Sequence, residues 1–298
     1  MGKVFSYGHV RQGKVPSLDD FPLATEAFLS MVEQGVSEKQ FDGGFVFGSV
    51  ARGTPNIRSD FDSLIALTSS SPDGYIAARG LAQRVAAITE GRIEIDPKLY
   101  PKEALSDGAH EIHQAFGLHL IGEHRLVVGN DPAAYLQMHW RHPYDILDHY
   151  IHSKTRKLSD AYVSTNPLEV AGNSLQRTLE LPNSVGRKAV EVLTEAGVID
   201  TSLDGSDKEG VYEVMTRVFH ERDLGDEFDR LTALNHDYTA LLAATVAGEV
   251  GQDEYEAMLT AIHAEIPRSV EWLRDVGRVV LPLLAQLESA ELYTQLKK

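Results

Sequence analysis

Asp60 and Asp62 stand one residue apart at the head of the apolar run Phe61-Asp-Ser-Leu-Ile-Ala-Leu-Thr68. Side chains along a strand repeat every two residues, so both carboxylates fall on one face while Phe61 turns into the core. Neighbouring carboxylates repel each other, and a cation between them relieves the repulsion. Magnesium suits such a pair, because it takes a few carboxylates and fills its other positions with water and phosphate oxygens. An idle pair of charges opening an apolar strand would be costly. Ten residues separate Asp60 from Ser49, which with Gly48 follows Phe45-Val46-Phe47 and leads into Val50-Ala51-Arg52. A strand that ends in a helical turn aims backbone N–H groups and a hydroxyl outward, and a glycine there lets a phosphate come close. A third acid, Asp96, sits in Arg92-Ile-Glu-Ile-Asp-Pro-Lys98, where Ile93 and Ile95 share one face and Glu94 and Asp96 the other. Should that strand lie beside the one carrying Asp60, three carboxylates would serve two metal ions.

The combination of Gly48-Ser49, the ten-residue gap, Asp60-x-Asp62 and a later strand Asp96 resembles the polymerase β-like nucleotidyltransferase superfamily. The string Gly-Ser-Val-Ala-Arg-Gly53 followed by Ser59-Asp-Phe-Asp62 is similar to its minimal and aminoglycoside-modifying branches, and the segment Glu111–Gly122 resembles the helix-to-strand piece that closes that domain. The resemblance covers roughly residues 40–125. It implies a small mixed sheet flanked by helices, a nucleoside triphosphate (ATP or another) held at Gly48 and Ser49, and Mg²⁺ held by Asp60, Asp62 and Asp96. An acceptor hydroxyl would attack the α-phosphorus and expel pyrophosphate. Asp96 is the expected general base, with Glu94 or a carboxylate of the second domain as rivals, and Arg52 and Arg58 are expected at the phosphates.

Those residues need a scaffold. Up to about residue 130, helix and strand signals alternate: a helix over 22–34, strands over 45–47 and 61–68, a helix over 73–90 started by Ser71-Pro72, a strand over 92–99, and a helix over 102–117. Beyond Gly129-Asn130-Asp131-Pro132 strand signals fade, and amphipathic segments follow at 134–162, 167–181, 184–196, 208–222, 226–248, 252–264 and 268–296. The expected fold class is α+β: a nucleotidyltransferase domain over 1–130 and an all-helical, acceptor-binding bundle over 131–298.

The composition limits partners. Lys and Arg number 28 against 44 Asp and Glu, a net charge of −16, which argues against a long nucleic-acid footprint. Residues 1–130 carry −4 and residues 131–298 carry −12, so a cationic acceptor would be drawn to the second half; with the resemblance to the aminoglycoside-modifying branch, this makes a small-molecule hydroxyl the expected acceptor, an aminoglycoside-like antibiotic in its sharpest form. The competing reading is a toxin–antitoxin or defence enzyme that nucleotidylates a partner protein or tRNA. The chain has no cysteine, its first fourteen residues have no apolar segment of signal type, and no run is long enough to span a membrane; a cytoplasmic protein is expected. Eight of the twelve histidines fall between His110 and His152, three pairs at i,i+3 spacing, and read as surface or core residues rather than as zinc ligands.

Overall fold

Four strands, β1 (Phe41–Val46), β2 (Ser63–Leu67), β3 (Lys98–Pro101) and β4 (Arg125–Gly129), form a mixed sheet of order β3-β2-β1-β4 in the computed structural model. β1 is antiparallel to both β2 and β4, whereas β2 and β3 are parallel. Parallel neighbours need a crossover connection, and the helix α4 (Pro72–Ile88) supplies it. All five residues of β2 are buried, because both sheet faces are covered. On one face Phe61, Ile65 and Leu67 pack with Phe21, Phe28 and Val32 of α2 (Asp20–Ser37) and with Leu81 and Val85 of α4. On the other, Leu64 and Ala66 join Phe45, Phe47, Leu105, Ile112 and Leu120.

The described residues are 3–163, 171–199, 208–221 and 223–285. They divide into two compact units, one of Met1–Lys3 with Gln12–Trp140, the other of Val4–Arg11 with Arg141–Lys298. The division thus falls after Trp140 rather than near residue 130. The segment beyond β4 stays with the sheet through local bonds: the Tyr135 hydroxyl donates to Asp42 at 2.9 Å, and His139 pairs with His113 in an isolated parallel bridge.

Two expectations for the first unit need correcting. The strand expected over 92–99 is reduced to a single bridge, Phe61 with Ile95, before β3 opens at Lys98. Pro97 has no N–H to give a ladder and interrupts it. The helix expected over 102–117 is two helices, α5 (Lys102–Asp107) and α6 (Gln114–Glu123), parted at Gly108, whose φ of 78° ends the first. Residues Leu118–Gly122 therefore lie in α6, and β4 closes the sheet.

Among its described residues the second unit is helical: α1 (Tyr7–Arg11), α7 (Pro143–Tyr162), α8 (Ala171–Glu195), α9 (Lys208–His220), α10 (Gly225–Ala247), α11 (Gln252–Ala264) and α12 (Ile266–Ala285). Spacing predicts a buried stripe of Ile266, Val270, Leu273, Val276, Val280, Leu284 and Leu287: Val270 is half-buried, Leu287 lies outside the described residues, and the other five are buried. The segments expected over 167–181 and 184–196 are one helix, α8, that runs through Pro182. Among the described residues no helix is long and apolar enough to cross a membrane.

Candidate functional site

β1 ends at Val46, Phe47 continues extended, and the chain turns into a single helical turn, α3 (Gly48–Ala51). Gly48 has φ 74°, a left-handed conformation that side chains disfavour. It is also crowded: a Cβ built there would lie 2.6 Å from Asp62 Oδ2. The Asp62 carboxylate therefore stands directly against the backbone of Gly48. Phe47 N–H donates to the Asp62 carbonyl at 3.0 Å, which carries the β1–β2 pairing up to this corner.

Burial pushes the Asp62 carboxyl above its ordinary value of 3.8, and the charge of Asp60 pushes the same way. Lys98 and Arg52 oppose that rise. Both acids are half-buried, and Phe61 between them is fully inside, as the two-residue period requires. A carboxylate pair that is partly desolvated and mutually repelling fits a divalent cation, and Asp60 and Asp62 are the residues that would hold it.

Asp96 is exposed, as is Glu94. Phe61 pairs with Ile95 and Leu64 with Lys98, both at an offset of 34, so the same register sets Asp62 opposite Asp96 and Asp60 opposite Glu94. The backbone aligns the third acid with the pair. Among the described residues, however, no three or more His, Asp or Glu side chains are grouped as metal ligands, so the expected set Asp60, Asp62 and Asp96 shares a register without being gathered around one point. The segment bearing Asp96 is anchored by Arg92, whose Nε and Nη2 donate to the two oxygens of buried Asp20 at 2.9 Å each.

The two arginines expected at the phosphates are both engaged elsewhere. Arg52 forms an ion pair with Glu123 at 2.5 Å, and the Glu123 side chain is 1% exposed. Arg58 is buried, and its Nε donates to the Lys3 carbonyl at 3.0 Å. Ser49 is half-buried in the turn, and its carbonyl accepts from Thr54 N–H at 2.9 Å.

Lys98 also belongs to the site, although the motif does not include it. It lies two residues beyond Asp96 on the same strand face, its charge reaches Asp62, and its Nζ sits 5.0 Å above the Phe116 ring. The alternation Glu94, Asp96, Lys98 was the available signal. Glu123, the partner of Arg52, had none, since only α6 brings it there.

Three histidines, His110, His113 and His142, accept local backbone bonds. His110 Nδ1 accepts from Ile112 N–H at 2.9 Å, His113 Nδ1 from Phe116 N–H at 3.4 Å, and His142 Nδ1 from Tyr144 N–H at 3.2 Å. A groove of about 390 Å³ lined by Lys39, Ser71, Asp73 and Ile76 involves neither Gly48 nor the aspartates. No protein-family model matches the chain, and no curated protein is significantly similar to it.

Proposed function

We propose that the chain is a magnesium-dependent nucleotidyltransferase, with the sheet-bearing unit as its catalytic domain and the helical unit as the domain that receives the acceptor. The observation that carries this reading is the contact of Gly48 with Asp62. A half-buried carboxylate beside a second one is costly to keep ionised, and it stands against a left-handed glycine corner that carries no side chain. A phosphate-binding corner beside a cation-binding pair accounts for it.

In this reading the Gly48–Ser49 turn takes the phosphates of the triphosphate, with no Cβ at residue 48 to hold them off. Mg²⁺ held by Asp60 and Asp62 would neutralise phosphate charge and favour departure of pyrophosphate. The acceptor oxygen forms its bond to the α-phosphorus as the bond from that phosphorus to the bridging oxygen of pyrophosphate breaks, and Asp96 accepts the hydroxyl proton. Lys98 favours the ionised form of Asp62 against the effect of burial. Arg52 supports the corner through Glu123.

The favoured acceptor is a hydroxyl on a small cationic molecule, drawn by the −12 charge of residues 131–298. The test is incubation with each α-labelled nucleoside triphosphate, Mg²⁺ and a panel of aminoglycosides and other polyamine-bearing alcohols. A labelled adduct that is lost in Asp62→Asn supports the reading. Tight Mg²⁺–triphosphate binding without transfer to any of them would retain the site and remove the acceptor class.

A further inference from the structure

α6 packs on the sheet face that carries the aspartates. Phe116 and Leu120 join Leu64 and Ala66, which alternate with Phe61, Ile65 and Leu67 just as Asp60 and Asp62 do. On β3, Leu99 packs into the opposite cluster and Tyr100 into this one, so Lys98 stands on the aspartate face as well. Lys98 pairs with Leu64 in the parallel ladder, which makes Asp62 its diagonal neighbour on that face. The two side-chain cations whose charge reaches Asp62 are Lys98 and Arg52, and α6 touches both. Near its start the Phe116 ring lies 5.0 Å from Lys98 Nζ; its last residue, Glu123, pairs with Arg52 at 2.5 Å.

The two cations differ in what answers their charge. Arg52 faces the buried carboxylate of Glu123, so that pair presents a dipole rather than a net charge. Lys98 forms no ion pair among the described residues and is held by an aromatic face instead. A ring quadrupole attracts an ammonium without cancelling its charge. Lys98 is also half-buried, whereas Arg58 is fully inside with its Nε spent on the Lys3 carbonyl. Lys98 therefore delivers a full positive charge beside Asp62. Mg²⁺ on Asp60 and Asp62 would cancel both carboxylates and leave that ammonium as surplus positive charge. A polyphosphate is the ligand that such a surplus suits.

We propose that Lys98 is the phosphate-binding cation of this site, in the place expected of Arg52 and Arg58: its ammonium donates to a non-bridging oxygen of the triphosphate, and the Phe116 ring holds it in position to do so. The proposal rests on the reading of the Gly48 corner as a triphosphate site. It also carries a sign. Bare metal at Asp60 and Asp62 meets the like charge of Lys98 and is bound less well for it, whereas metal with its polyphosphate gains from it. A lysine that only favoured the ionised form of Asp62 would help both.

The test titrates the full chain calorimetrically, well above the carboxylate range of pH, with Mn²⁺ alone, with Mn²⁺ and ATP, and with Mn²⁺ and inorganic tripolyphosphate. Tripolyphosphate has no nucleoside, so a contact to phosphate must show there too. Lys98→Met is expected to weaken both polyphosphates roughly ten- to a hundredfold, the worth of one charged hydrogen bond, while bare Mn²⁺ binds at least as well as to wild type. Lys98→Arg, which keeps the charge, should recover most of the loss. Lys98→Gln replaces the methionine variant if that one does not fold. Polyphosphate affinity unchanged in Lys98→Met, while Asp62→Asn abolishes it, overturns the proposal and leaves the transferase reading standing. A parallel fall in bare Mn²⁺ and polyphosphate affinity overturns it too, since Lys98 would then serve Asp62 alone. Wild type that binds neither polyphosphate with Mn²⁺ removes the proposal and the transferase reading together.

Discussion

The Asp62 carboxylate occupies the space in which a side chain at residue 48 would begin, 2.6 Å from the position of that absent Cβ. Two constraints therefore coincide at Gly48, a φ of 74° and a neighbour that leaves no room. Either alone would favour glycine; together they tie the turn after β1 to the residue that opens β2.

Gly48→Ala must adopt a left-handed backbone and displace Asp62. The expected cost is roughly 1–3 kcal/mol of stability, the usual range for enforced backbone strain. The functional loss should be larger than the stability loss implies, because the carboxylate moves away from its partner Asp60. Denaturant titration and Mn²⁺–ATP calorimetry on the same preparation separate the two effects. A variant of wild-type stability and affinity would show that the close contact matters little.

Asp62 also carries a prediction about pH. Its folded pKa lies above the unfolded value of 3.8, through burial first and the charge of Asp60 besides. The associated stabilisation is present in full below the unfolded pKa and is lost as pH rises through the folded one. At neutral pH the ionised carboxylate thus weighs against the fold. Asp62→Asn is expected to melt higher than wild type at pH 7, with the difference vanishing near pH 4, while transfer activity disappears. Added Mg²⁺ should raise the wild-type melting temperature and leave the variant's unchanged. A lower melting temperature for the variant at pH 7 would contradict this account.

The pair Arg52–Glu123 offers a test of a different kind. Glu123 is 1% exposed and the Arg52 side chain 16%, so neither charge is well hydrated. Removing one partner strands the other, at a cost of roughly 3–5 kcal/mol when both are buried. Glu123→Gln should destabilise by an amount approaching that range, whereas Arg52→Met with Glu123→Leu should recover most of it. Were Arg52 a phosphate ligand alone, Glu123→Gln would leave thermal stability intact and alter only nucleotide affinity.

The parts of this protein that were legible in its residues are those set by local spacing. The facing of Asp60 and Asp62, with Phe61 inward, follows from the two-residue period, and the apolar run after them gives β2. The start of α4 follows from Ser71-Pro72. What could not be read is what the chain closes over distance. Arg58 looks like a surface arginine until Lys3, 55 residues earlier, is found on its guanidinium. Arg52 looks free for phosphate until α6 delivers Glu123. Asp96 lies between these cases: its face was legible, but Pro97 breaks the ladder beside it, and only the uninterrupted offset of 34 between Phe61–Ile95 and Leu64–Lys98 sets it opposite Asp62.

Pro182 shows packing overriding a local rule. Proline inside a helix lacks the N–H that would bond the carbonyl four residues back and clashes with that turn, which costs about 3 kcal/mol. The sequence therefore predicts a break between residues 181 and 184, yet α8 continues from Ala171 to Glu195. Leu179, Leu181, Val185, Ala189 and Val192 are all buried along it, and ending the helix would expose part of that stripe. Pro182→Ala restores the missing donor and removes the clash, at the expense of a buried ring and of a more flexible unfolded chain. The balance is expected to stabilise the protein by roughly 1–2 kcal/mol, measurable as a higher midpoint in urea with an unchanged slope. A destabilised variant would mean that the Pro182 ring contributes more to the core of the helical unit than its missing hydrogen bond costs.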